Sequence, residues 1–95
     1  MKLFGLLIPA YRQGSSVVVA DPVCARGQVA EHLFQWLDKK NEYKHNLYGS
    51  PKRGAVGQIK SIMKYKDSEG STFIYYGVVV KNLLYAIEES RLARQ

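Results

Sequence analysis

The sequence has few of the side chains from which metal and redox sites are built. Cys24 is the only cysteine and His32 and His45 the only histidines in 95 residues. A single cysteine excludes an intrachain disulfide, so a reducing, cytoplasmic setting is the expectation. No CxxC or HxxxH spacing occurs, and neither a metal site nor another cofactor site is expected. Long apolar runs are missing too. The opening Met1-Lys2-Leu3-Phe4-Gly5-Leu6-Leu7-Ile8-Pro9-Ala10 is shorter than a secretory signal of about 15 to 30 residues. It is also far below the roughly 20 residues that span a bilayer, so it reads as the first strand of a soluble protein with no membrane span.

Catalytic constellations are equally scarce. Cys24 with His32 or His45 as a base is conceivable, but a lone cysteine is more often a small buried hydrophobe. Glu88 and Glu89 are neighbours in an extended stretch and point to opposite faces, so they would not share a substrate. Gly49-Ser50-Pro51-Lys52-Arg53-Gly54 lacks the spacing of the nucleotide fingerprints, and Gly54-Ala55-Val56-Gly57 precedes a strand where a phosphate loop would precede a helix. The reading is a protein without catalytic residues.

Acidic residues are missing from one region in particular. From Lys39 to Lys66 eight basic side chains face one acid, Glu42, while the rest of the chain carries six basic and seven acidic residues. The whole excess behind the net charge of +6 therefore sits in the middle of the sequence. Such asymmetry points to nucleic acid or another anionic partner and says nothing about fold. Composition is otherwise globular: 46% hydrophobic and 23% charged residues are far from the range of disordered chains, and the length suits a single domain over residues 1–95.

Hydrophobic patterning predicts a mostly antiparallel α+β protein in the order ββαβββ, a small barrel or a single sheet with one helix packed on it. Leu3 to Tyr11 and Val17 to Ala20 read as strands separated by Arg12-Gln13-Gly14-Ser15-Ser16. Val29, Leu33 and Leu37 recur every four positions, flanked by Ala30, Phe34 and Trp36, and predict a helix over Gly27 to Lys40 that docks through this stripe. Lys39 and Lys40 would then complement its C-terminal dipole, with Asn41 as the stop. Asn41 to Arg53 reads as a loop of about a dozen residues. Three β-rich runs follow, Val56 to Lys66, Thr72 to Val80 and Leu83 to Glu88, separated by Asp67-Ser68-Glu69-Gly70 and Lys81-Asn82.

Simple alternation along Ile59 to Lys66 puts Lys60, Ile62, Lys64 and Lys66 on one face and Ile59, Ser61, Met63 and Tyr65 on the other. Successive lysines of that row would lie about 7 Å apart, close to the phosphate spacing of an extended strand. With basic residues nearby and tyrosines among them, the candidate nucleic-acid contacts are Lys44, Lys52, Arg53, Lys60, Lys64 and Lys66, with Tyr43, Tyr48 and Tyr65 as stacking rings. The same lysines would equally keep a strand edge from pairing with other chains. The alternative function is a protein-interaction module or homo-oligomer using the Phe73, Tyr75, Gly77 and Val79 face, if the helix leaves it open. Ser50-Pro51-Lys52-Arg53 is similar to short elements of minor-groove-binding tails and to a proline-directed phosphorylation site, and it is also an ordinary turn.

The order Gly14-Ser15-Ser16-Val17-Val18-Val19, Arg53-Gly54-Ala55-Val56-Gly57-Gln58-Ile59, Tyr76-Gly77-Val78-Val79-Val80 and Ile87-Glu88-Glu89-Ser90-Arg91-Leu92 resembles small barrels of the Src-homology-3 type, to which KOW and Tudor domains are related in architecture. The resemblance implies that the Glu-Ser-x-Leu turn closes the fold and that the helix is an insertion in the first long loop. It carries over no site residue. Thr72 to Tyr85 also resembles the central hairpin of longin-like domains, which implies a helix between two strands and three, with Glu88 to Gln95 too short for the full C-terminal helix pair of that family.

Overall fold

The computed structural model describes residues 2–3 and 6–95. Along the chain come β1 (Lys2–Leu3), β2 (Leu6–Leu7), β3 (Ser16–Val19), α1 (Gly27–Leu37), β4 (Lys44–His45), β5 (Val56–Lys66), β6 (Thr72–Val80), β7 (Leu83–Glu88), a 3-10 turn (Glu89–Arg91) and β8 (Leu92–Arg94). β1 and β2 form a separate antiparallel pair, and six strands make one open sheet in the order β4-β7-β6-β5-β3-β8. Only β4 runs parallel to its neighbour, β7. The predicted α+β class with one helix packed on a mostly antiparallel sheet is the observed one.

The β5-β6-β7 meander follows from its turns. Asp67 Oδ1 accepts the backbone N–H groups of Glu69 and Ser71 at 3.0 and 2.8 Å, which bends the chain back into β6. Lys81 and Asn82 both take left-handed backbone angles, φ 50° and 68°, as a two-residue hairpin between twisted strands requires. Val80 and Leu83 then face each other across the ladder.

The sheet has two unlike faces. One gathers Val17, Val19, Ile59, Tyr76, Val78, Tyr85, Ile87 and Leu92 into a single buried cluster. Five neighbouring strands, β7, β6, β5, β3 and β8, contribute to it. Packing on this face leaves no room for a side chain at Gly57: a Cβ there would lie 2.5 Å from Val78 Cγ1 and 2.8 Å from Val80 Cγ2. Tyr76 crosses the cluster, donates from its hydroxyl to Glu89 Oε2 at 2.7 Å and accepts the Tyr11 N–H at 3.2 Å. Burial, reinforced by Glu89, pushes the Tyr76 phenol well above its ordinary pKa. The other face carries α1, whose Ala30, Leu33, Phe34 and Leu37 pack on Leu84 and Ala86.

Several expectations need correction. The helix ends at Leu37, not Lys40, because the Asp38 N–H makes the last helical bond to the Phe34 carbonyl at 2.9 Å and Asp38 leaves helical geometry. Lys39 and Lys40 lie beyond it and do not sit in its last turn. Val29 and Trp36 do not dock: they are 61% and 55% exposed, since Ala30, Leu33, Phe34 and Leu37 fill the strip over Leu84 and Ala86. The predicted first strand over Leu3 to Tyr11 is two short segments, and its Phe4 and Gly5 lie outside the described residues. The loop from Asn41 to Arg53 contains β4. It is tied to its surroundings by Asn46 N–H to the Leu84 carbonyl at 3.0 Å and Gly27 N–H to the Leu47 carbonyl at 2.6 Å. After Glu88 the chain forms the 3-10 turn and β8.

Candidate nucleic-acid interface

β5 decides where its lysines go. Ile59 stands opposite Val78 and Ser61 opposite Gly77, so Lys60 is an extra residue, a β-bulge. Gln13 Nε2 fixes it by donating to the Lys60 carbonyl at 2.9 Å. The bulge overturns the alternation read from sequence. Ile59 shares the face opposite the helix with Ile62, Lys64 and Lys66, Ser61, Met63 and Tyr65 face the helix side, and Lys60 belongs to neither row. A continuous row of Lys60, Lys64 and Lys66 does not exist.

Freed from the row, Lys60 turns toward the chain that follows α1. Its Nζ lies 6.0 Å from the centre of the Tyr43 ring, and Lys39 Nζ lies 5.3 Å from that of Trp36. These groups, with Lys40 and Glu42, line a cleft of about 580 Å³ whose floor includes Ile59 and Ser61 and whose far wall is Gln13-Gly14. The buried Ser61 hydroxyl has no hydrogen-bond partner among the described residues. It lies against Gly77, where any Cβ would collide with it.

Asp38 holds this wall together. Its carboxylate accepts the N–H groups of Glu42 and Tyr43 at 2.9 and 3.0 Å, and its Oδ2 lies 2.6 Å from His45 Nε2. The His45 ring in turn stacks on Phe34 with centroids 4.3 Å apart. Burial alone would push the Asp38 carboxyl up, but the Glu42 N–H, His45 and the Tyr43 N–H outweigh it and hold the carboxyl below its ordinary range. The turn that carries Lys39, Lys40 and Tyr43 is thereby tied to the helix end. Nothing in the sequence reading singled out Asp38. The available signal was a short acidic side chain directly after the last apolar residue of the helical stripe, a place where it can bond the backbone of the next turn.

The other predicted contacts are dispersed. Lys52 and Arg53 border a separate hollow with Lys81, Val56 and Leu83, where Arg53 Nη1 donates to the Ala20 carbonyl at 2.8 Å. Ser50 and Pro51 are not part of a free tail, since Pro51 is buried and the Ser50 hydroxyl accepts from Arg26. Lys64 and Lys66 are exposed near the β5-β6 turn. Tyr65 faces Tyr75 edge-on at 6.1 Å beside the first half of α1. Lys44 is on the edge strand β4, and Tyr48 is 77% exposed. Of the nine residues read from sequence, Tyr43 and Lys60 line the cleft; Trp36, Lys39 and Lys40 join them there.

The face of Phe73, Tyr75, Gly77 and Val79 is partly covered. Gly77 is buried, Tyr75 and Val79 are half-buried, and Phe73 is 38% exposed. Among the described residues no three His, Cys, Asp or Glu side chains gather at metal-binding range, and no helix is long and apolar enough to cross a membrane. Compared with known proteins, the chain matches no protein-family model, no curated protein and no solved structure.

Proposed function

We propose that this chain is a non-enzymatic module that binds single-stranded nucleic acid in the cleft between the end of α1 and the β5 bulge. The observation that carries the reading is the pairing of two lysines with two aromatic rings, Lys39 with Trp36 and Lys60 with Tyr43, in one concavity that Lys40 also lines. The exposed Trp36 ring and the half-buried Tyr43 ring offer stacking surfaces to unstacked bases, and the ammonium group over each neutralises an adjoining phosphate. A duplex keeps its bases stacked on each other and offers the rings nothing. The binding is electrostatic with little sequence preference, and the free thiol of Cys24 suits a cytoplasmic location.

The architecture we assign is similar to the Src-homology-3-type small barrels. Supporting it, the Glu89–Arg91 turn falls between β7 and β8, and β8 returns to pair with β3, with α1 in the connection from β3 to β5. A second reading, protein interaction, draws on the groove where Val29 lies beside Tyr65 and Tyr75 at the first half of the helix.

Fluorescence anisotropy with labelled single- and double-stranded oligonucleotides tests the first reading, with Trp36, the sole tryptophan, as an internal reporter. Binding to single strands should quench Trp36. Its affinity should fall with salt at a log–log slope of about −2, from about −0.7 for each of three neutralised phosphates. Lys39→Glu with Lys60→Glu should lower affinity on the order of tenfold or more. No binding at low salt, or binding that these changes leave intact, would remove the cleft from the function.

A further inference from the structure

β5 is longer than its neighbour on one side. β3 pairs with it only over Val56 to Gln58, and the approach of the chain beside it ends with Gly14 N–H on the Ile59 carbonyl and Gln13 on the Lys60 carbonyl. From Ser61 to Lys66 the strand is paired with β6 alone. The direction of the unused groups follows from the turn. Asp67 N–H donates to the Ser71 carbonyl, so residues 65, 63 and 61 bond to β6 in alternation, and Ile62, Lys64 and Lys66 point their N–H and C=O groups away from it. Among the described residues no backbone group bonds to these. This is a strand edge with three donors and three acceptors, one N–H and one C=O on each of Ile62, Lys64 and Lys66.

Side chains decide what can pair with such an edge. Ile62, Lys64 and Lys66 share one face, and Met63 and Tyr65 the other, next to Tyr75 and the exposed Phe73. A second copy of the chain centred on this edge would set lysines against lysines, and like charges directly opposite are destabilising. An extended segment with acidic residues at alternate positions meets the reverse situation, because it places a carboxylate opposite each lysine and an apolar side chain beside Met63 and Tyr65.

We propose that the outer edge of β5 from Ile62 to Lys66 is a docking site for an extended acidic peptide that adds as a further antiparallel strand, with acidic residues opposite Lys64 and Lys66 and apolar residues between them. The backbone supplies the pairing and the two lysines select the charge. The site is separate from the cleft, and it gives Lys64, Lys66 and Tyr65 a common task that the cleft does not.

Amide exchange followed by NMR on the full chain tests this, using a short capped peptide that alternates glutamate with valine and its counterpart with lysine for glutamate. The glutamate peptide should slow exchange at the Ile62, Lys64 and Lys66 amides, which exchange freely without it, and leave the Trp36 signal unchanged. The lysine peptide should do neither. Lys64→Glu with Lys66→Glu should weaken the glutamate peptide about tenfold and admit the lysine peptide, a reversal that loss of folding would not produce. Equal binding of both peptides, protection at other amides only, or the absence of protection would overturn the proposal. Slowed exchange without peptide that rises with protein concentration would do so as well, by assigning the edge to a second copy.

Discussion

The two halves of β5 belong to one continuous strand and live in different surroundings. Before the bulge, β3 pairs with Val56 to Gln58 and β6 with Gln58 and Ile59, and Gly57 and Ile59 are buried. After it, Ile62 to Lys66 is paired on one side only, with Ile62, Met63 and Tyr65 half-buried and Lys64 and Lys66 exposed. The first half carries no charge and the second carries Lys64 and Lys66, with Lys60 at the joint between them. The comparison teaches that the basic excess of the middle sequence is not one surface. A single inserted residue separates a lysine for the cleft from lysines for the edge.

The sharpest way to break the comparison is to attack the enclosed half. Gly57→Val should destabilise the fold by about 3 kcal/mol, the upper end for overpacking, because the first methyl already meets Val78 and Val80. Urea unfolding measures it, and a variant of unchanged midpoint would mean that this half is not closed.

Next comes the clamp beside the joint. Asp38→Asn leaves the N–H groups of Glu42 and Tyr43 to share one acceptor, and should cost about 1–3 kcal/mol at neutral pH. The folded carboxyl is held below its ordinary range. Its contribution is therefore fully present above the unfolded pKa of about 3.9 and is lost as pH falls through the lower folded value. Unfolding curves of the two proteins should differ at pH 7 and converge in acid. A gap of the same size at every pH would show that the charge plays no part.

The smallest effect belongs to the open half. Lys64→Thr with Lys66→Thr should change stability by no more than about 0.5 kcal/mol, since both side chains are exposed, while removing the charge that discourages edge pairing. Sedimentation should then show association that rises with concentration. A loss of stability well beyond that figure would mean that these lysines support the fold.

The long strands were legible because β-branched and aromatic runs bounded by Asp-Ser-Glu-Gly and Lys-Asn leave little choice, and β5, β6 and β7 begin and end where the pattern places them. β4 and β8, two and three residues long, carry no pattern of their own and exist through Leu83–Leu84 and Val17–Val19, their partners. The bulge at Lys60 is a property of the β5-β6 pairing and cannot be read from β5 alone. For the same reason Tyr43 and Lys60 could be named as contacts while their companion Trp36 was assigned to the core. A helical stripe shows which side chains are apolar, but the width of the sheet beneath it decides which of them are covered.

β3 has consequences for how the chain can be cut. Val17 is paired with Gly57 on one side and with Arg94 on the other, so both ladders of this four-residue strand are supplied by segments remote in sequence. No fragment that stops short of Leu92 can satisfy β3, and none that begins after Val19 can anchor β8 or cover the first half of β5. The meander from Val56 to Glu88 contains its own turns and pairings. The strands that seal it come from opposite ends of the described chain and must arrive together.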